Sequence, residues 1–387
     1  MNSPPILLYL VTEDWYFLSH RLPMAKAAQK AGYDVHVATR VGESGAEIEA
    51  LGFCLHPLSW PRGSLSPFAR IAIWRDVRAL FRRLSPDLVH NVALEPTIIG
   101  SFAALGLPMV RLNALAGLGF AFTSRMLKAR ATGAVLGRIL KWLLNRPLTA
   151  VLIQNEDDRA ALVRLGVRAD HIFLIPGSGV DTDVLEPLPE PDGSLTAAFV
   201  GRLLDDKGVR TLVAAHERIS RGPRPIQLLL AGETDPANPA SISADEIGRW
   251  ARRPGISILG HVDDIREVWA RAHIAVLPSR REGLPKSLLE AAACGRPIVA
   301  TDVPGCREIA RAGINALLVP PDDPAALAEA LDKLAQDRPM RLRFAAAGRA
   351  LVEDHFSSAR IGREIVVLYD RLLGRKSGPL PAPSGPG

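Results

Sequence analysis

Short apolar runs alternate with helix-like segments along nearly the whole chain, and this alternation constrains the fold more than any other feature. Candidate strands in the first half are residues 6–11, 34–38, 88–90, 109–112 and 150–154. Candidate strands in the second half are residues 196–200, 226–231, 256–259, 274–277, 297–300 and 316–319. Strands that alternate with helices build parallel sheets from βαβ units. We therefore predict an α/β protein.

Chain length and a break in the pattern predict two domains. A chain of 387 residues is too long for one ordinary core but suits two. The alternation restarts after a loop rich in proline and acidic residues, 181–193, which we interpret as the linker. We expect domains at 1–178 and 179–355, a last long helix at 356–374 and a disordered tail at 375–387. Two such domains imply a cleft between them.

Composition and cysteine usage exclude several classes of protein. Hydrophobic residues make up 48% and charged residues 23%, which is typical of a globular chain. The cysteines are Cys54, Cys294 and Cys306, with no Cys-x-x-Cys pair and no histidine cluster, so we expect neither a disulfide framework nor a structural zinc site. No basic residue precedes the first apolar run, and no run is long enough to span a bilayer. We expect a cytoplasmic protein.

The net charge of +6 suggests an anionic partner, and residues 118–146 are the most basic segment. This segment has no Asp or Glu, and its basic residues alternate with apolar ones. They are Arg125, Lys128, Arg130, Arg138, Lys141 and Arg146. A basic amphipathic helix binds anionic membrane surfaces, and we predict this peripheral role for 118–146. The alternative is a core-facing helix with a solvated basic side. Nucleic-acid binding is not indicated, because no aromatic cluster resembles an RNA-binding module.

The segment 277–297 carries the first chemical signature, in which an apolar strand, a short polar loop and a helix follow one another. Pro285 suits the first helical turn and Gly295 its stop. Free amides at the start of this helix would suit phosphate or sugar oxygens. Glu282 before the helix and Glu290 within it would face one ligand, because carboxylates accept charge-assisted bonds from sugar hydroxyls. The alternative is that both are solvated surface charges.

The loop 201–208 carries the second signature, directly after the strand 196–200. It supplies two cations, Arg202 and Lys207, and flexible backbone at Gly201 and Gly208. Ligands of open parallel sheets bind beyond the carboxyl ends of the strands, so these cations are placed to hold a diphosphate. The alternative is that both are solvated loop cations. A P-loop is excluded, because the sequence has no GxxxxGK[ST] motif.

These motifs together resemble glycosyltransferase family 4, and within it the bacterial enzymes that add N-acetylated amino sugars to polyprenyl-diphosphate-linked acceptors. The matching segments are 199–208, 277–297 and 301–308, which cover much of the second domain. The resemblance implies a GT-B fold, with two Rossmann-like domains facing across a cleft, and a UDP-sugar held by the second domain. It also implies transfer with retention, without a metal or cofactor, and a final helix that crosses back to the first domain.

The resemblance also implies residue roles in the second domain. Arg202 and Lys207 would bind the diphosphate, Glu290 the ribose and Glu282 the transferred sugar. Arg202, Lys207 and Glu282 are thereby the candidate catalytic residues. Further donor contacts are expected from Gly201, Gly283, Leu284 and Pro285. The implied chemistry is front-face attack, in which the departing diphosphate takes the acceptor proton and the cations stabilise its charge.

Acceptor contacts are expected from the first domain. The loop after the first strand contains Trp15, His20 and Arg21, and the loop after the fourth strand begins at Asn113. We predict that these four residues contact the acceptor. For His20 and Arg21 the alternative is that they cap the following helix or pair on the surface.

Three other functions fit part of the sequence. A nucleotide-sugar epimerase shares the architecture and donor but works without an acceptor. A transferase acting on a soluble acceptor needs no membrane. A non-catalytic partner of a membrane assembly would tolerate loss of Arg202 and Lys207.

Overall fold

A computed structural model describes residues 3–60, 67–115, 127–222, 225–235 and 238–375, without the side chains of 67 and 127–134. The predicted tail falls outside these residues apart from Arg375, as does the part of the basic segment before residue 127. The chain forms two compact units. Unit 1 comprises Met1–Ser178 and Ser358–Gly387, and unit 2 comprises Gly179–Ser357.

Unit 1 is built on a seven-stranded parallel sheet. Its strands are β1 (Ile6–Glu13), β2 (Asp34–Arg40), β3 (Cys54–Pro57), β4 (Leu88–Val92), β5 (Val110–Ala114), β6 (Thr149–Ile153) and β7 (Ile172–Leu174). The strand order is β3-β2-β1-β4-β5-β6-β7. Its helices before residue 179 are α1 (Asp14–His20), α2 (Leu22–Lys30), α3 (Gly45–Ala50), α4 (Pro67–Leu84), α5 (Leu94–Ala103), α6 (Leu127–Leu144) and α7 (Glu156–Leu165). The order reverses between β1 and β4.

Strand β1 shows why the sequence of unit 1 gives a sheet covered on both faces. Successive side chains of a strand point to opposite faces, so a strand buried on both sides is apolar throughout. Leu7 and Tyr9 belong to one core cluster, whereas Leu8 and Leu10 belong to another on the opposite face. All four side chains are fully buried.

Unit 2 is built on a six-stranded parallel sheet. Its strands are β8 (Thr196–Val200), β9 (Gln227–Ala231), β10 (Ile256–Gly260), β11 (Ile274–Leu277), β12 (Ile298–Thr301) and β13 (Ala316–Val319). The strand order is β10-β9-β8-β11-β12-β13, which reverses between β8 and β11. Its helices are α8 (Val209–Ser220), α9 (Ala244–Ala251), α10 (Ile265–Arg271), α11 (Lys286–Ala293), α12 (Pro304–Ile309), α13 (Pro324–Gln336) and α14 (Arg338–Leu351).

The last helix, α15 (Ser358–Leu372), belongs to unit 1. Gly362 allows it to lie close to α2, because a side chain there would place its Cβ 2.8 Å from the Cβ of Ala27. The hydroxyls of Tyr369 and Tyr9 lie 2.8 Å apart, and the Tyr33 hydroxyl donates to Asp370 at 2.7 Å. Helix α15 therefore completes the core of the first unit.

Residues 181–193, interpreted above as a linker, lie in unit 2. Leu185 is buried, and Leu188 packs against the core of unit 2. The carboxylate of Glu190 forms ion pairs with Arg338 and Arg341, which hold its pKa below the usual range. The segment is thus packed onto one unit along much of its length.

Candidate active site

Strands β8 and β9 of unit 2 are paired, and the backbone just beyond their carboxyl ends approaches closely because each strand is followed by a glycine. Gly201 has a φ of 153° and Gly232 a φ of 137°. A Cβ on Gly232 would lie 2.0 Å from the carbonyl oxygen of Gly201. Arg202 follows at this edge, and its guanidinium Nη1 lies 3.1 Å from Asp235 Oδ2. The Arg202 side chain is 51% exposed, so this cation is accessible to an anion.

The loop that carries Lys207 is held against the end of β11. Residues Asp205–Lys207 form a 3₁₀ turn that ends at Gly208, whose φ is 70°. A Cβ on Gly208 would lie 2.0 Å from the carbonyl oxygen of Pro278. The Arg280 amide donates to the Asp206 carbonyl at 2.9 Å, and the Arg280 side chain pairs with Asp205. The loops after β8 and β11 are therefore joined by backbone and side-chain contacts.

This junction brings Lys207 and Glu282 together. Lys207 Nζ lies 2.6 Å from Glu282 Oε1, and the Ser279 hydroxyl donates to the same oxygen at 2.6 Å. The Thr301 hydroxyl donates to the Ser279 carbonyl and fixes the start of the loop. Glu282 is only 9% exposed and Lys207 26%. The pair is therefore largely shielded from solvent. Charge interactions are stronger in such a shielded place than in water.

Helix α12 is packed directly onto the Glu282 loop. A Cβ on Gly305 would lie 2.4 Å from the carbonyl oxygen of Gly283 and 2.5 Å from that of Glu282. The neighbouring Cys306 is fully buried, and burial raises the pKa of its thiol, so the thiol stays neutral. The sequence motif 301–308 therefore contributes a close backbone contact to this site.

Helix α11 begins at this edge of the sheet with Pro285 as its N-cap, and no side chain caps it. It spans eight residues, and Gly295, with a φ of 70°, follows its end. Leu284 packs against the core of unit 2. The first amides of a helix carry partial positive charge and have no intrahelical acceptors, which suits an anion.

Glu290 lies one turn after Lys286 on this helix. Lys286 Nζ is 3.5 Å from Glu290 Oε1, and the Glu290 side chain is 14% exposed. Burial raises the pKa of the Glu290 carboxyl, while the Lys286 ammonium opposes that shift. Glu290 therefore has a cation of its own nearby on the same helix.

The four residues predicted in unit 1 lie on α1, between α1 and α2, and on β5. Trp15 is 44% exposed at the start of α1. His20 ends α1, where its ring stacks on Tyr16 with centroids 4.2 Å apart and its Nδ1 lies 2.6 Å from the Ser19 hydroxyl. Both residues follow β1, at the point where the strand order of unit 1 reverses.

Arg21 and Asn113 are both buried. Arg21 is 2% exposed, and its Nη1 donates to the His20 carbonyl at 3.4 Å. Asn113 is fully buried: its Oδ1 accepts from Asn91 at 2.9 Å and from Ser101 at 3.2 Å, while its Nδ2 donates to Ala150. Asn113 thus holds neighbouring strands together, and contact with an acceptor stays a prediction for both residues.

Sequence reasoning did not single out several residues of this site. Ser279 and Thr301 position the Glu282 loop, and Asp235 pairs with Arg202. Gly232 and Gly305 permit backbone contacts that any side chain would prevent. Gly305 lies within a motif that supported the family resemblance, which was the only available signal for it.

Comparison with known proteins identifies both halves of the chain. Residues 6–155 match the family "Glycosyl transferase 4-like", and residues 194–337 match "Glycosyl transferases group 1". These matches confirm the resemblance to family 4.

Two similar proteins align over most of their length. One is N,N'-diacetylbacillosaminyl-diphospho-undecaprenol alpha-1,3-N-acetylgalactosaminyltransferase of Campylobacter jejuni, 26% identical over 92% of this chain and 98% of the relative. Another is the capsular polysaccharide biosynthesis glycosyltransferase CapM of Staphylococcus aureus, 29% identical over 90% of this chain and 93% of the relative.

Solved structures share the fold. Sucrose-phosphate synthase from Thermosynechococcus elongatus has a TM-score of 0.80 and 21% identity, covering 96% of this chain and 99% of that one. HepE of Anabaena, solved with UDP-glucose, has a TM-score of 0.75 and 17% identity, covering 95% and 99%. With two parallel-sheet Rossmann-like units and these matches in both halves, the chain belongs to the GT-B glycosyltransferases, with a glycosyl transferase 4-like domain followed by a group 1 domain.

Proposed function

We propose that this glycosyltransferase moves an N-acetylated amino sugar from a UDP-sugar to a polyprenyl-diphosphate-linked acceptor, with retention at the anomeric carbon. The name of the Campylobacter jejuni relative describes such an acceptor and such a sugar, and the alignment covers 92% of this chain. CapM supports a role in surface polysaccharide synthesis. The HepE complex with UDP-glucose supports a UDP-sugar as donor.

One observation is the main support for the proposed donor site. Lys207 Nζ lies 2.6 Å from Glu282 Oε1 beyond β8 and β11, where the strand order of unit 2 reverses. Ligands of open α/β sheets bind at this kind of switch point. Arg202 and the start of α11 lie at the same edge. We propose that Arg202, Lys207 and the α11 amides bind the diphosphate, with Gly201, Gly283, Leu284 and Pro285 along the donor. Glu290 would hold the ribose.

The proposed reaction needs charge stabilisation more than proton transfer by a side chain. The acceptor hydroxyl attacks the anomeric carbon from the face that the diphosphate leaves, so a carbon–oxygen bond to the acceptor forms as the bond to the diphosphate breaks. The hydroxyl proton passes to the departing diphosphate oxygen. Arg202 and Lys207 stabilise the charge that develops on that group. Glu282, already paired with Lys207, would accept bonds from the sugar hydroxyls.

Replacing Glu282 by alanine tests the sugar contact. We expect kcat/KM for the donor to fall about 10- to 100-fold, because charge-assisted hydrogen bonds to the sugar are lost. Inhibition by UDP, which lacks the sugar, should change much less. Glu329→Ala, an exposed glutamate of α13, is the matched control. Unchanged kinetics of Glu282→Ala with every donor would remove this role.

The product itself tests the overall proposal. Labelled UDP-N-acetylhexosamine and a polyprenyl-diphosphate sugar should yield label in the extractable lipid fraction, and digestion with anomer-specific glycosidases should show the donor's configuration preserved. An inverted linkage would contradict retention. Label transferred only to a water-soluble sugar would favour a soluble acceptor.

The exposed face of α6 supports the proposal that the protein acts at a membrane surface. Val135 and Trp142 are 55% and 45% exposed, and Arg146 lies over the Trp142 ring at 4.7 Å. Arg138 and Lys141 are also exposed, whereas Leu140 and Leu144 are fully buried. Among the described residues, no helix has the length and hydropathy that crossing a bilayer requires. We propose that this face lies on an anionic leaflet.

Vesicle binding tests this face. Removing both charges with Arg138→Ala and Lys141→Ala should weaken binding to anionic vesicles about fivefold per charge at low salt. Binding to neutral vesicles should change little. The matched control replaces Lys333 and Arg343, two exposed cations of unit 2. Equal loss in both double variants would show that only net charge matters and would contradict a specific surface.

A further inference from the structure

Four side chains of types that bind metals meet on strands β2 and β3, at the edge of the unit 1 sheet. The parallel register pairs His36 with Cys54 and Ala38 with His56. Because side chains two apart share a face of a strand, Asp34 and His36 lie on the same face, as do Cys54 and His56. The two pairs therefore lie side by side on neighbouring strands. This edge belongs to unit 1, whereas the donor site proposed above belongs to unit 2.

The distances bring three ligand atoms into one group. One ligand atom each from Asp34, His36 and Cys54 lies within 4.8 Å of the others. The His36 Nε2 atom is 3.2 Å from Asp34 Oδ2. For comparison, the ligand atoms of a tetrahedral zinc site lie about 3.3–3.7 Å apart, which follows from its bond lengths. Small side-chain rotations would close the remaining gap.

The environment of His36 leaves one of its ring nitrogens available to a metal ion. His36 is 7% exposed, and among the described residues its buried Nε2 atom has no hydrogen bond of good geometry, although Asp34 is near. Its other nitrogen, Nδ1, lies 2.9 Å from His56 Nε2. If Nδ1 carries the proton and donates to His56, the Nε2 lone pair is left facing Asp34 and Cys54. Metal-binding histidines commonly donate their second ring N–H in this way.

We propose that Asp34, His36 and Cys54 bind a divalent zinc ion, with His56 orienting the His36 ring. A thiolate and an imidazole favour zinc over magnesium or calcium, which prefer oxygen ligands. Asp34 and Cys54 are exposed, so the ion can enter from solvent and a water molecule can fill the fourth position. Binding converts the Cys54 thiol to a thiolate and releases its proton to solvent. The ion ties the edge strand β3 to β2.

Metal titration tests the site without any sugar substrate, so its outcome is separate from that of the proposed function. The purified chain is stripped with EDTA, freed of chelator and titrated with zinc chloride against a chromophoric chelator. We expect one zinc per monomer, a higher Tm, and slower alkylation of Cys54 by N-ethylmaleimide. Cobalt should give the near-ultraviolet absorption that a cobalt–thiolate bond produces.

Variants assign the ligands. Cys54→Ser and Asp34→Asn change exposed side chains and should abolish stoichiometric zinc binding while the far-ultraviolet circular dichroism stays the same. His56→Ala should weaken binding about 10- to 100-fold, as loss of an orienting partner does. His261→Asn is the matched control, because His261 forms an exposed pair with Asp263 at 3.3 Å. No stoichiometric binding, binding that survives Cys54→Ser, or zinc held only between two copies of the chain would overturn the proposal.

Discussion

Replacing Lys207 by alanine is expected to lower kcat/KM by about 10²- to 10³-fold, the effect of removing one preorganised group that stabilises developing charge. Lys207 lies at the switch point of unit 2, 26% exposed, with its ammonium 2.6 Å from Glu282. A leaving diphosphate gains negative charge as its bond to the sugar breaks, and this cation is placed to stabilise it. Steady-state kinetics with the preferred donor measure the loss.

The fold should survive this change, because Lys207 is partly exposed in a 3₁₀ turn outside the hydrophobic core, and the Ser279 hydroxyl still donates to the Glu282 carboxylate. Circular dichroism and Tm of the variant serve as the check. Lys333→Ala, which removes an exposed lysine of α13, should retain full activity. Full activity in Lys207→Ala would exclude the diphosphate assignment and would favour a non-catalytic role for the loop.

Replacing Gly305 by alanine is expected to displace the Glu282 loop through a steric clash. The new Cβ would lie 2.4 Å and 2.5 Å from two carbonyl oxygens of the Glu282 loop, so the loop or α12 must move. A displacement of about 1 Å in a reacting group can cost roughly 10²-fold in rate. We expect that order of loss in kcat, with a decrease of about 1–3 kcal/mol in the free energy of unfolding.

Gly248→Ala is the control that distinguishes the steric clash at Gly305 from the general effect of placing alanine in a helix. Gly248 lies within α9 and has no heavy atom within 4 Å of the position its Cβ would take. Alanine there should stabilise the chain by up to about 1 kcal/mol, because glycine is the poorer helix former. Activity of Gly248→Ala should be unchanged. If Gly305→Ala were as active as the unaltered enzyme, the close packing of α12 would not be what positions Glu282.

The sequence predicted the central strands of both sheets well, but it missed both edge strands of unit 1. Strand β11 is apolar throughout and β8 is apolar after Thr196, because helices cover both faces of a parallel sheet. Strand β3 was missed because its residues are mixed in polarity and only partly buried, and β7 was missed because it is only three residues long. Cys54 and His56 in β3 show no apolar run at all. Their meeting with Asp34 and His36 depends on strand register, which residue spacing alone does not reveal.

The candidate donor site was also predicted only in part. Arg202, Lys207 and Glu282 were predicted because they follow strands in a fold where ligands bind at strand ends. The contact between Lys207 and Glu282 was not predicted, because it depends on the pairing of β8 with β11. Gly232 and Gly305 were not singled out, because close approach of two backbones is a tertiary property. Sequence also could not show that Arg21 is buried.

Acceptor-dependent release of UDP tests the central claim most directly. The purified enzyme is incubated with a panel of UDP-sugars, each with and without a polyprenyl-diphosphate sugar in vesicles, and UDP is measured. The account predicts rapid UDP release only when a UDP-N-acetylated amino sugar and the lipid acceptor are both present. Equal UDP release without the acceptor, or conversion of the donor to an isomer without it, would contradict the account.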